Sequence, residues 1–285
     1  MLGIKQICQN KPGTDSFKYP ALFLGPGKYA QAASNSSLNN YTAFTVASSY
    51  NYTDLSIQGS SQFYEFIIMK NNNSSIFSGN NTAGASVSFW GITEQLVFIC
   101  NGSTKHLASI VATNNHKKSH STRVTSPIIT TVLTGDASSN SYALHVIASN
   151  GYQKNNSLVH FKSTGSYTFT NWGTFDTDGF VSAGAYRQTG IAQDSSNANC
   201  TSSHGFLRAQ LWNSALTDEQ ILNTVGGDGT VFSMPSYSEG SYPEPNHEWI
   251  PVLGNNSTVP DTGSDTAINL TIEGSAKVGY YPARV

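Results

Sequence analysis

Charge is the first thing this chain has little of. Only 11% of its 285 residues are charged, and the formal net charge is −2. Electrostatic binding of nucleic acid needs clustered Lys and Arg. The one basic cluster, His116, Lys117, Lys118, His120 and Arg123, reads instead as a solvated loop. Cysteine is nearly as scarce. Cys8, Cys100 and Cys200 lie far apart, and their odd number leaves at least one unpaired within the chain, so free thiols in a reduced compartment are expected. No run approaches the roughly 18 apolar residues of a membrane span, so no membrane partner is expected. The opening MLGIKQICQNKPG lacks the apolar core of a signal peptide, which predicts an uncleaved start and unmodified Asn-x-Ser/Thr sequons. Nor is there a Gly-x-Ser-x-Gly elbow, a phosphate loop or a dinucleotide fingerprint.

What is present points to β-structure. Hydrophobic residues reach 38% and aromatics 11%, spread evenly among Asn, Ser, Thr and Gly. That is enough for a real core and unlike the composition of a disordered chain. Short alternating segments recur at 21–24, 29–33, 42–49, 63–70, 85–90, 95–100, 107–112, 128–134, 141–148, 157–162, 166–170, 179–186 and 205–212. Turn residues separate them, as in a sandwich or barrel. Segments 71–82, 113–126 and 187–204 read as surface loops.

Gly205 to Ile221 carries the strongest local signal. Phe206, Ala209 and Leu211 alternate with polar residues, predicting a half-buried strand. After Asn213-Ser214, Thr217 is set to cap a helix, with Gln220 three residues on completing a capping box. Leu216 and Ile221 occupy the staple positions, Asp218 and Glu219 suit the helix dipole, and Gly226-Gly227 supplies the stop.

This segment resembles the closing strand and short helix of laminin-G-like (pentraxin-like) members of the concanavalin A-like lectin and glucanase superfamily. Phe206, Ala209, Leu211, Trp212, Asn213, Leu216, Thr217 and Ile221 carry the likeness. Gln220 stands where the family has Glu, and Trp212 where it has Tyr. Tyr19 to Ala33 is similar to the family's opening strand, Phe44 to Asn51 to the next, and Ser141 to Lys154 to a strand and Asn-Gly turn in mid-sheet. The resemblance implies an all-β antiparallel sandwich of jelly-roll type with one short helix. The expected organisation is an N-terminal arm at 1–18, the sandwich at 19–226 and an extended C-terminal arm at 227–285.

The tail changes character. Met234 to Pro251 holds four prolines and is expected to be extended, without its own core, and Glu239, Glu244 and Glu248 read as solvated. Val259 to Gly279 alternates again and resembles the segment that usually opens a laminin-G-like domain, displaced here to the far end. Its strand either completes this chain's own sheet or adds to a neighbouring subunit.

Glycoside hydrolases with this fold resemblance need two carboxylates on one strand face, usually as Glu-x-Asp-x-Glu, and the chain has no such triplet. No enzymatic activity is expected. Trp172 and Trp249 are candidate stacking platforms for sugar rings, against a core or interface role. Asp176 and Asp178 before Gly179 are candidate calcium ligands, against an ordinary turn. No other cofactor is expected. The composition is similar in character to phage surface proteins. The reading is a non-enzymatic virion structural protein on the particle surface, a capsid decoration, head-fibre or tail-fibre subunit. It is expected to contact other virion proteins and copies of itself as a homo-oligomer, and to adhere to host glycans. A cellular or secreted carbohydrate-binding lectin is the alternative.

Overall fold

The computed structural model describes residues 19–25, 27–33, 35–52, 66–71, 74–78, 93–100, 104–111, 128–149, 159–166, 170–175, 179–184, 204–226 and 243–281. The first strands are β1 (Tyr19–Leu24), β2 (Tyr29–Ala33), β3 (Ala43–Tyr52), β4 (Phe66–Asn71) and β5 (Ser74–Ser78). They are followed by β6 (Thr93–Cys100), β7 (Thr104–Val111), β8 (Ile128–Asp136), β9 (Ser141–Ser149) and β10 (Val159–Ser166). Then come β11 (Phe180–Ala183), β12 (His204–Trp212) and the helix α1 (Asp218–Gly226). The tail supplies β13 (His247–Trp249), β14 (Thr258–Val259), β15 (Leu270–Glu273) and β16 (Lys277–Tyr281).

Two antiparallel sheets face one another. One runs β10-β9-β8-β3-β12-β1-β16, and the other β14-β15-β2-β11-β4-β5; β6 and β7 pair apart. Strand β12 is paired along its whole length by β3, while its other edge is shared, with β1 beside its first half and β13 beside its second. The period-two pattern puts alternate side chains between the sheets. Leu22, Phe44, Val46, Leu133, Leu144, Phe206 and Leu211 from the first sheet meet Ala30, Phe66, Ile68, Val181 and Leu270 from the second. The fold is therefore an all-β sandwich, with one α-helix among the described residues.

Three expectations change. Strand β12 is buried on both faces, because the inter-sheet core takes one side and α1 covers the other, where Leu216 and Ile221 pack on Ala47, Val132, Ile147 and Trp212. Residues 74–78, read as loop, form β5 against β4. The tail, read as an arm, belongs to the sandwich: β13 pairs with β12, β15 with β2 and β16 with β1. Of the two readings of its strand, pairing within the chain is the one observed. The expected strand at 85–90 and the arm at 1–18 lie outside the described residues.

The β15–β16 hairpin turns at Gly274 and Ser275, both with positive φ (65° and 60°), the backbone of a tight two-residue hairpin turn. A Cβ on Gly274 would come within 1.4 Å of the Gly27 carbonyl oxygen, so this turn also needs glycine to sit against the β1–β2 turn.

Candidate functional site

The register brings one set of loops to one end of the sandwich. Ala43 at the start of β3 lies opposite Asp136 at the end of β8, and Ser141 of β9 opposite both Asp136 and Ser166. Trp212, closing β12, lies opposite Thr45. The loops leaving this end are tied together. Ala137 N donates to the Thr42 carbonyl (2.9 Å), Asn40 N to the Gly173 carbonyl (2.9 Å) and Phe175 N to Asn39 Oδ1 (2.9 Å). Thr45 Oγ1 donates to the Ser214 carbonyl, Asn213 N to Asn246 Oδ1 and Asn246 Nδ2 to Asp265 Oδ2. The rim these bonds brace exposes Asn40, Ser138, Ser139, Asn140, Thr174 and Asn213. Its exposed groups are mostly neutral amides and hydroxyls, so it offers hydrogen bonds with little net charge. Asp136, in the turn beside Ser138 and Ser139, has its carboxyl held below the usual carboxylate range, first by the Ser138 hydroxyl.

Beneath the rim lies a polar network that local sequence patterns did not reveal. His247 Nδ1 is 2.6 Å from Asp261 Oδ2, and His247 Nε2 is 3.2 Å from Ser37 Oγ. Asp261 also accepts from the backbone N–H of Glu248 (2.9 Å), Gly263 (3.1 Å) and Ile268 (2.8 Å). Burial alone would raise the Asp261 carboxyl, but the bonds from His247, Ile268 and Glu248 outweigh it and hold the group low. Ser37 sits in a single turn of 3-10 helix, Ser36–Leu38, capped by Asn35, whose Oδ1 accepts from Ser37 N at 2.8 Å and from Ser37 Oγ. Ser37 and His247 are 210 positions apart, so no spacing rule would have joined them. Tyr41 stacks on Trp172 close by (4.4 Å, 9°), and burial, then the charge of Asp265, pushes its hydroxyl up.

Neither tryptophan offered as a sugar platform has a face to offer. Trp172 and Trp249 are both 0% exposed. Trp172 stacks with Tyr41 and Phe44 and donates Nε1 to the Leu38 carbonyl; Trp249 packs on Phe66 and donates Nε1 to the Ile268 carbonyl at 2.7 Å. Both are core residues whose polar edge is satisfied by a backbone oxygen. Asp176 and Asp178 lie outside the described residues. Among the described residues, no three His, Cys, Asp or Glu side chains form a set able to hold a metal. Glu248, expected in solvent, is buried and accepts from Gln210 Nε2 at 2.9 Å across the β12–β13 pair. Glu244 is exposed as expected, and Glu239 lies outside the described residues. Among the described residues, no helix is long and apolar enough to cross a membrane.

No protein-family model and no curated protein matches this chain. Among solved structures it is similar to jelly-roll, lectin-like domains. A native heptameric SAP-like pentraxin from Limulus polyphemus aligns over 91% of this chain and 92% of its own, at 14% identity and a TM-score of 0.40. The CBM40 of the Ruminococcus gnavus IT-sialidase aligns over 72% of this chain and 97% of its own, at 13% identity and 0.44. The binding domain of Botulinum neurotoxin DC, solved with rat synaptotagmin II, aligns over 75% of this chain at 10% identity and 0.46; the match spans only 43% of that longer chain. These are likenesses of fold and carry no residue-by-residue correspondence.

Proposed function

We propose that this chain is a binding module that holds neutral glycans at the loop end of its sandwich. The carrying observation is the rim itself: exposed Asn, Ser and Thr side chains on loops cross-braced by backbone hydrogen bonds. Sugar hydroxyls both donate and accept, and side-chain amides and hydroxyls match them without charge. Bracing lowers the entropy lost when a ligand is held. Binding without glycosidic cleavage is part of this reading, supported by the lack of a Glu-x-Asp-x-Glu triplet in the sequence.

A glycan array of the whole chain tests this, with Asn140→Gly and Asn213→Ala as probes. Both side chains are exposed, and glycine keeps the positive φ of Asn140 (50°). Each variant is expected to keep its fold and weaken glycan binding by about tenfold, the value of one lost hydrogen bond to a ligand. An empty array, or binding unchanged in both variants, ends the proposal.

A finer reading places the module on the outside of a virus particle, as a capsid decoration or fibre subunit that meets host-surface glycans. Low charge and the Asn/Ser/Thr/Gly-rich composition support it. Strand exchange through the tail no longer does, since β13 to β16 pair within the chain. Mass measured at low concentration separates the readings: an obligate trimer or larger favours the particle, a stable monomer the stand-alone lectin.

A further inference from the structure

We infer that Ser37 is a nucleophilic serine, activated by His247 and Asp261, that accepts an acyl group from small esters. This goes beyond glycan binding and does not depend on it. Nucleophile, base and orienting acid stand in the order that acyl transfer needs: Ser37 Oγ beside His247 Nε2 at 3.2 Å, and His247 Nδ1 beside Asp261 Oδ2 at 2.6 Å. The carboxylate is fixed from three further sides by the N–H groups of Glu248, Gly263 and Ile268. An anion so held takes the Nδ1 proton as its fourth bond, which leaves the neutral ring with its lone pair on Nε2, facing Ser37. The tautomer is thus assigned from the hydrogen-bond pattern. Trp249 stacks on the imidazole (5.5 Å, 9°) and fixes its plane.

Accessibility follows the same order. His247 and Asp261 are buried, whereas Ser37 is half-exposed at the rim, so the serine is the member a substrate meets. Asn35 holds the serine in its resting position. Its Oδ1 accepts from the Ser37 amide and hydroxyl, so the hydroxyl proton turns from Asn35 to His247 Nε2 before Oγ attacks. A purely structural network would use the same bonds to pin the 3-10 turn to β13, but it would leave the serine unreactive.

The step balances with water alone. Ser37 Oγ attacks the ester carbonyl carbon and forms a C–O bond, while its proton passes to His247 Nε2. The ester C–O bond breaks, and the alcohol leaves with that proton. Water then attacks the acyl-serine, gives a proton to Nε2, and the carboxylic acid departs as Oγ–H is restored.

The test treats the folded chain with a biotin-tagged fluorophosphonate, which loses fluoride on capture, and maps the adduct by peptide mass. Hydrolysis of p-nitrophenyl acetate is followed in parallel. Labelling is expected on Ser37 and not on the exposed Ser36, Ser138 or Ser139. Ser37→Ala should abolish it, and His247→Gln should slow it about 100-fold, the share of a general base. Unfolding the unaltered chain in urea is expected to remove the Ser37 labelling, which tests the assembled site even if His247→Gln fails to fold. Labelling of Ser37 no faster than of Ser138 in the unaltered chain overturns the inference, as does undiminished labelling in folded His247→Gln.

Discussion

Tyr281, the last residue of β16, lies directly opposite Tyr19, the first of β1, in an antiparallel pair that runs back to Lys277 opposite Phe23. The two ends of the described sandwich are therefore one strand spacing apart, about 5 Å between paired Cα atoms. Strand order around the core depends on these neighbours and not on where the chain is opened.

A chain with residue 285 fused to residue 1 and opened inside 227–242 is thus expected to fold to the same sheets. The join replaces one chain crossing by another, and loop-closure entropy changes slowly with length, so stability should stay within about 2 kcal/mol of the original. Circular dichroism and urea unfolding check it. Loss of the β signal would show that segment 227–242 must be continuous for β12 and β13 to pair.

Thr217 and Gln220 exchange two bonds: Thr217 N donates to Gln220 Oε1 (2.9 Å), and Gln220 N to Thr217 Oγ1 (3.2 Å). Thr217→Ala removes one of them at the start of the helix that covers the outer face of the first sheet. A destabilisation of about 1 kcal/mol is expected in urea titration. A larger loss would mean that α1 is held by its cap more than by Leu216 and Ile221.

Trp249 is a core residue, and its variants should behave accordingly. Trp249→Ala is expected to cost about 3–5 kcal/mol through the cavity it leaves. Trp249→Phe keeps most of the packing against Phe66 but orphans the Ile268 carbonyl, a cost of about 1–3 kcal/mol. The folded Trp249→Phe chain should bind any glycan ligand as the original does. A tenfold drop in its affinity with stability retained would restore the stacking role.

Asp261 gives the acid limb of stability its sign. Its folded carboxyl titrates below the unfolded value of about 3.9. Its contribution is therefore complete above that value and is lost as pH falls through the lower folded value. Asp261→Asn replaces an accepting oxygen by an NH2 donor, leaves buried N–H groups without their acceptor and is expected to cost about 1–3 kcal/mol at neutral pH, with a flatter decline below about pH 4. Urea midpoints measured from neutral to acid pH decide it, and an unchanged acid slope in the variant would exclude Asp261 as the source.

Local order was legible in the residues. The capping box and staple at Leu216 to Ile221 involve neighbours within one helical turn, and the alternation of Tyr29 to Ala33 or Ser141 to Ser149 shows one face of a strand without reference to its partner. Burial was less legible, because an alternating strand reads as half-buried whether or not something covers its polar side. β12 is such a case, with a helix laid over its outer face. The Pro-rich stretch around Glu248 misled for a similar reason: proline marks extended chain, and extended chain beside an open strand edge becomes a strand.

The amino-acid order alone determined the sandwich class, the capped helix at Asp218–Gly226 and the low-charge, amide-rich composition, since these follow from periodicities and propensities within a few residues. Tertiary structure alone decided that Trp172 and Trp249 are core, that the tail closes this chain's own sheets, and that Ser37, His247 and Asp261 meet. Those outcomes depend on which strand edges find each other across the chain, and a pairing between residues 210 positions apart leaves no local trace in the sequence.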